Sequence, residues 1–445
     1  MEMKSLYKVP VTEKSADINF ESNGDKSFNV VANGTSLTVA PVTFKKVCTL
    51  PKDIVPARFY QVEGKRYCLD TLGNLWQDID GVYTRFVNAS FTSEPHITPV
   101  IYQGEKRILI FSKEKGVLKG LGEEEVTIPY GKAFTIFKGM LFVAEGSVLR
   151  FSAPFNFTDF TIDLTLGGFI EVDNALGEIM GIAQGNDGLT LLCKHGAVYL
   201  EVKGERVEYT LKNLQTDYID VKDNTVAQVN GGLCFISGNK ICYLKKGKIA
   251  EHNLPTYLGE ILDFGACNLN GERIYFGAGG ENRTYFVYVI TTLGNFILCF
   301  SIDKKECYLV NAKRGMSAVG GLFGANVETK DSQGANETQT EYTVYRAVIG
   351  GSKSALANEE DDYKGYYLSN PINFNNSLYK RVSKISLSAT SQGQLTVYAE
   401  EGKKTFSIKK GENFFRANLR SRAFTFEVNL NENRGGINLN VTYAL

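Results

Sequence analysis

The stretch ARFYQVEGKRYCLDTLGNLWQDIDG, residues 57–81, reads as an apolar strand, a turn holding Gly64, a second apolar strand, a turn holding Gly73, and a third strand that carries Trp76. Short apolar runs bounded by glycine, asparagine and aspartate are the mark of paired strands. The same layout returns in TPVIYQGEKRILIFSKEKGVLKGLG (98–122), FTIFKGMLFVAEGSVLRFSAP (134–154), MGIAQGNDGLTLLCKHGAVYLEVKG (180–204), VAQVNGGLCFISGNKICYLKKGKI (226–249) and GACNLNGERIYFGAGGENRTYFVYVI (265–290). The first-turn glycines of these units, Gly64, Gly104, Gly139, Gly188, Gly232 and Gly271, lie 40, 35, 49, 44 and 39 residues apart. A period near 40 with about four short strands per unit predicts the blades of a β-propeller, in which radial stacking protects the sheet edges that one blade alone would expose. The glycines themselves are expected to supply positive φ in hairpin turns.

Outward from these units the pattern is less regular. GNFILCFSIDKKECYLVN (294–311) and AVGGLFGANVET (318–329) either complete a seventh blade or finish the sixth, so the ring is predicted to have six or seven. SFNVVANGTSLTVAPVTFKKV (27–47) is a hairpin about Asn33 and Gly34, placed to supply outer strands that close the ring. Residues 1–48 are therefore read as an arm and 49–327 as the propeller. ETKDSQGANETQTE (328–341) has no large apolar side chain, which predicts a polar linker over 328–342. From 343 to 445 alternating strands return without the blade layout and predict a C-terminal β-sandwich. No window sustains an i, i+3, i+4, i+7 stripe, so the chain is expected to be all-β with almost no helix.

Composition narrows the function. The 445 residues exceed what one core usually serves, and aromatics at 12% suit pleated, half-buried surfaces. Lys plus Arg and Asp plus Glu are 49 each, so no global field draws the chain to nucleic acid or anionic lipid, and no apolar run is long enough to insert into a membrane. The opening MEMKSLYKVPVTEKSADINF lacks an apolar core of signal-peptide length, which predicts a cytoplasmic protein. The eight cysteines are scattered singly without metal-ligand spacing and are expected to be reduced, buried hydrophobes.

The chain carries little that points to catalysis. His96, His195 and His252 fall in three different units, none with a second ligand at metal spacing. There is no phosphate loop and no nucleophile elbow. GAGGEN (277–282) has no helix after it and reads as a wide hairpin loop, and EEDD (359–362) lacks the alternation that surrounds a calcium ion. Glycosidases need two facing carboxylates, yet the predicted innermost strands offer only Asp263, with amides at Gln61, Gln103, Gln184 and Gln228. No catalytic, cofactor or metal site is predicted, and a carbohydrate-active enzyme is disfavoured.

The stretch FKGMLFVAEGSVLRFSAPFNFTDFT (137–161), with its Ser-Ala-Pro and Asp-Phe-Thr close, resembles a segment of tailed-bacteriophage tail and head-to-tail joining proteins, and the unit at 181–202 resembles the sheet that follows it there. Residues 393–445, with Arg420 and Arg422 at the entry to an alternating Phe and Val strand, resemble the terminal sandwich of the same proteins. The opening lacks the Arg-Pro-Arg-like segment of that family. The resemblance implies a phage or prophage structural protein of the tail hub, nozzle or head–tail junction, made in a bacterial cytoplasm and carried in the virion tail. Its partners would be further copies of itself in a ring and neighbouring tail or connector proteins. A ring needs two different patches per subunit. Arg416, Arg420 and Arg422 are the candidates for one, and Glu359, Glu360, Asp361 and Asp362 for the other. The alternative is a cellular propeller scaffold that binds protein or carbohydrate.

Overall fold

The computed structural model describes residues 13–20, 26–39, 42–120, 125–163, 167–203, 208–214, 219–267, 272–275, 281–303, 305–312, 316–320, 323–331, 338–349, 364–375, 377–432 and 435–444. Among these residues the only helical pieces are two short 3-10 turns, Asn174–Leu176 and Thr256–Leu258. The rest of the regular structure is strand, as the alternating pattern requires.

Seven antiparallel sheets follow one another as blades of a propeller. Their innermost strands are Pro56–Val62, His96–Tyr102, Ala133–Phe137, Ile179–Gln184, Ala227–Val229, Ile261–Cys267 and Met316–Gly320. The ring closes because Met316–Gly320 lies against both Ile261–Cys267 and Pro56–Val62. Each sheet face is apolar and buries itself on the next. Leu69, Leu75 and Tyr67 of the first blade share a core with Ile97 and Ile110 of the second, and Phe142 and Leu149 of the third pack with Leu189 and Leu191 of the fourth. Phe59 of the first blade meets Phe323 of the seventh at 5.1 Å.

The seventh blade decides the count and corrects two expectations. It consists of Met316–Gly320, Phe323–Asp331, Thr338–Ile349 and, as its outer strand, Val42–Leu50 from the start of the chain. The span 328–342 is therefore not a linker. Its described residues lie in two long strands, paired from Phe323 with Arg346 to Asp331 with Thr338. A polar ribbon held by its backbone ladder has the composition of a linker. The propeller accordingly runs past residue 342, to Ile349.

Of the segment 27–47 expected to close the ring, the strand Val42–Leu50 does supply the outer strand of the last blade, whereas the hairpin about Gly34, with φ of 58° at that glycine, does not. Its strands Val30–Asn33 and Ser36–Val39 belong instead to a second body of two sheets. One sheet orders Val30–Asn33, Ser36–Val39, Gly436–Ala444, Lys380–Ala389 and Gly411–Ser421, with Glu13–Asp17 also on Gly436–Ala444. The other orders Lys26–Phe28, Gly365–Leu368, Thr425–Leu430, Gly393–Ala399 and Gly402–Ile408. Leu37 and Val39 share one core with Ile385, Leu395, Phe424 and Val428, so the hairpin goes where its apolar face is covered.

The unit glycines divide in two. Gly64, Gly104 and Gly139 have φ near 80°, as hairpin turns demand. Gly188 and Gly232 sit at strand starts instead, where a Cβ would come within 2.0 Å of Leu200 O and 2.6 Å of Leu244 O. Their role is close strand approach, and Gly231, with φ of 70°, makes the turn beside Gly232. Gly271 and most of 277–282 lie outside the described residues.

Candidate interaction surface

The innermost strands carry one carboxylate, Asp263, which is exposed and accepts a hydrogen bond from the backbone N–H of Phe264 at 2.7 Å. No second acid faces it from another innermost strand. The amides are put to structural use: Gln184 Nε2 donates to Thr135 Oγ1 at 2.7 Å and to Ile136 O at 2.8 Å, tying the fourth blade to the third. A facing pair of acids for glycoside cleavage is not assembled on these strands.

The histidines stay apart. His96 is stacked on Phe111 at 5.3 Å, and burial, reinforced by the Arg58 charge, pushes its imidazole down to about 4. It is neutral at physiological pH. His252 packs on Phe300 and its buried Nε2 has no hydrogen-bond partner among the described residues. The backbone N–H of His195 donates to Leu176 O in the turn expected for it. No described His, Cys, Asp or Glu side chains group as metal ligands.

A charged network covers the end of the ring where the chain passes between blades. Lys132 Nζ lies 2.7 Å from Glu178 and 2.8 Å from Asp223, and Lys222 lies 2.8 Å from Asp220. Burial would raise the Asp223 carboxyl, but the hydrogen bond from Lys132 and the charges of Lys132 and Lys194 hold it below its usual range. Glu178 and Asp223 are paired with Lys132 from another segment, and Asp220 with Lys222 beside it and, at 3.8 Å, with Lys194. The network joins blades three, four and five and offers no free base.

The two bodies meet at a built seam. Phe28, on the strand Lys26–Phe28 of the two-sheet body, stacks on Phe296 of the sixth blade and meets Tyr257 edge-on at 5.3 Å. Asn29, 1% exposed with φ of 56°, donates its backbone N–H to Leu309 O and accepts from Asn311 N–H at 3.0 Å through its side chain. Ser27 and Tyr257 share a 2.9 Å hydroxyl contact.

The chemistry left uncommitted is on the outer face of the six-stranded sheet. Gly411–Ser421 is its end strand, and alternation places Phe414, Arg416 and Arg420 in solvent while Asn413, Ala417, Leu419 and Ser421 face inward. Arg422 is exposed just beyond, its N–H donating to Glu400. The neighbouring strand Lys380–Ala389 adds two cations that sequence reading missed: Arg381 stands opposite Arg420, and Lys384 opposite Arg416. Only strand register reveals those pairs. Arg381 donates to Asn418 Oδ1 at 3.0 Å, and Lys384, Arg416 and Arg420 have no ion pair among the described residues. Glu359, Glu360, Asp361 and Asp362 lie outside the described residues.

No family model matches the chain, and no curated protein sequence matches it. Solved structures with similarity include a catalytically inactive variant of virginiamycin B lyase from Staphylococcus aureus determined with quinupristin, 13% identical at a TM-score of 0.42, covering 68% of this chain and 99% of that one. The Pan2 WD40 domain of Neurospora crassa is 8% identical at 0.39, covering 68% and 95%. AztD from Citrobacter koseri is 12% identical at 0.37, covering 77% and 99%.

Proposed function

We propose that the protein is a structural component that acts by assembly, its propeller a rigid block and its two-sheet body, read as the C-terminal sandwich, the part that meets partners. The resemblance of 137–161 and 393–445 to tailed-phage tail and head-to-tail joining proteins supports a place at the tail hub, nozzle or head–tail junction. The observation that carries the assembly reading is the exposed face bearing Arg381, Lys384, Arg416 and Arg420 at the margin of a sheet. Like charges directly across a ladder are destabilising by roughly 0.2–1 kcal/mol each, so such pairs are better explained by an anionic partner than by folding. Reconstruction of the virion from the source phage or prophage tests this. Two-sheet bodies in contact across the ring are expected, and bodies far from every symmetry mate, with contacts made by propellers alone, refute it.

A second reading, a scaffold that holds a partner on the propeller, is favoured by Phe155. It is 78% exposed with φ of 58°, in a loop whose Phe157 stacks on Tyr102. A large apolar side chain in the left-handed region, displayed to water, is an arrangement that folding alone does not favour. Its test is whether Phe155→Ser abolishes partner capture while Arg416→Ser does not.

A further inference from the structure

The cations of the outer sheet face do not have the distribution that protects an edge. An end strand is commonly guarded by lysine or arginine on that strand, where a second chain would add. Arg416 and Arg420 fit that reading. Arg381 and Lys384 do not, because their strand is hydrogen-bonded on both sides, to Gly411–Ser421 and to Gly436–Ala444, and has no free edge. Two cross-strand cation pairs side by side make a patch of four positive charges spread over two strands. Among the described residues no carboxylate is ion-paired with these four cations, although Glu13 reaches Ser383 between Arg381 and Lys384, and Glu412 lies on the exposed row of Phe414 and Arg416. Glu13 accepts from Ser383 Oγ and Asp17 from Asn440 Nδ2, both on the strand beyond Gly436–Ala444, and Glu412 stands opposite Ser388. Phe414, 77% exposed, continues the row from Arg416.

We infer that this four-cation face binds an acidic segment of a second copy of the chain, the run Glu359–Asp362, lying across the sheet with its four carboxylates over the two cation pairs. The inference rests on the assembly reading and names its contact. Four consecutive acids followed by Tyr363 match four cations beside an exposed phenylalanine, and both halves occur in one sequence. A polyanion such as nucleic acid would require a longer basic track than this patch provides. The contact is heterologous, so it can repeat from subunit to subunit round a ring.

The test uses the full chain carrying Glu359→Gln, Glu360→Gln, Asp361→Asn and Asp362→Asn, so that its own acids do not compete. The probes are a fluorescent peptide of residues 356–364, LANEEDDYK, and its neutral counterpart LANQQNNYK. At low salt the acidic peptide should bind at least about tenfold more tightly, the size expected of a few exposed ion pairs together. Arg416→Ser with Arg420→Ser, and separately Arg381→Ser with Lys384→Ser, should each remove most of that difference without lowering the melting temperature. Equal binding of the two peptides, or indifference to the Arg381 and Lys384 changes, overturns the inference. So does binding of an oligonucleotide or of anionic vesicles that the acidic peptide fails to displace. Assembly that persists in the Arg416→Ser, Arg420→Ser chain overturns this contact and leaves the assembly reading standing. Acid-selective peptide binding by a chain whose two-sheet bodies never meet in the particle does the reverse.

Discussion

Phe28 stacks on Phe296 with ring centroids 5.5 Å apart and planes at 26°, so a strand near the N-terminus that belongs to the two-sheet body plants its aromatic side chain in the sixth blade. The backbone bond from Asn29 to Leu309 lies beside it. The two bodies are joined by packing as well as by chain. Phe28→Ala should cost about 3 kcal/mol, the low end for truncating a phenylalanine that is only partly buried. Calorimetry is expected to split one transition into two. A single transition at an unchanged temperature would mean the seam contributes nothing to coupling.

Closure by Val42–Leu50 gives the next expectation. That strand pairs with Thr338–Ile349 along its length, from Val42 with Ile349 to Leu50 with Tyr342. A chain beginning at Pro51 lacks it and leaves the seventh blade with an open edge, which favours pairing between molecules. It should aggregate on purification, and because residues 13–39 also supply four strands of the two-sheet body, a peptide of residues 13–50 should restore soluble protein where one of residues 13–39 does not. A soluble, monodisperse truncation would contradict the closure.

Asp70 is buried and accepts hydrogen bonds from the backbone N–H groups of Leu72 and Asn74, from Asn74 Nδ2 at 3.0 Å and from Trp76 Nε1 at 2.8 Å. Asp70→Ala strips all of these partners, and a loss of roughly 2–4 kcal/mol is expected in urea unfolding. A change within error would show that water replaces the carboxylate.

Acid should weaken the fold in two steps whose signs follow from the shifts. Burial pushes His96 down to about 4 from 6.5, so the unfolded chain takes up that proton first. Stability is full above about 6.5 and falls as pH drops toward 4. For Glu114, burial would raise the carboxyl, but donors from Ser93 and Thr92 outweigh it and bring it to about 2, so its contribution is present above 4.5 and lost as pH falls toward 2. His96→Phe should flatten the first step alone. If it leaves the stability profile between pH 7 and 4 unaltered, the assignment fails.

Thiol chemistry should follow unfolding. Burial raises Cys193 to about 12 and Cys242 to about 11, and Cys68, Cys234, Cys299 and Cys307 are also buried. In denaturant all eight cysteines of the sequence should titrate as free thiols, while native protein at pH 8 should react slowly. Rapid native labelling of more than the partly exposed Cys48, among the described cysteines, would contradict this.

The sequence alone determined the all-β class and the repeat, because strand alternation and turn glycines act over a few residues and leave a local trace. It also located the innermost strands well enough to find Asp263 isolated among amides. Which strands pair was decided only in three dimensions. The polar span 328–342 has no apolar signal because its strands are held by backbone ladders, and the hairpin at Gly34 carries nothing that says which body will cover it. Arg416 and Arg420 were visible as an alternating pattern, but their partners Lys384 and Arg381 stand 32 and 39 residues earlier in the chain and meet them through register. The charge density of that face is therefore a property of the tertiary structure, created when strands distant in sequence align and bring like charges that water had kept apart into direct opposition.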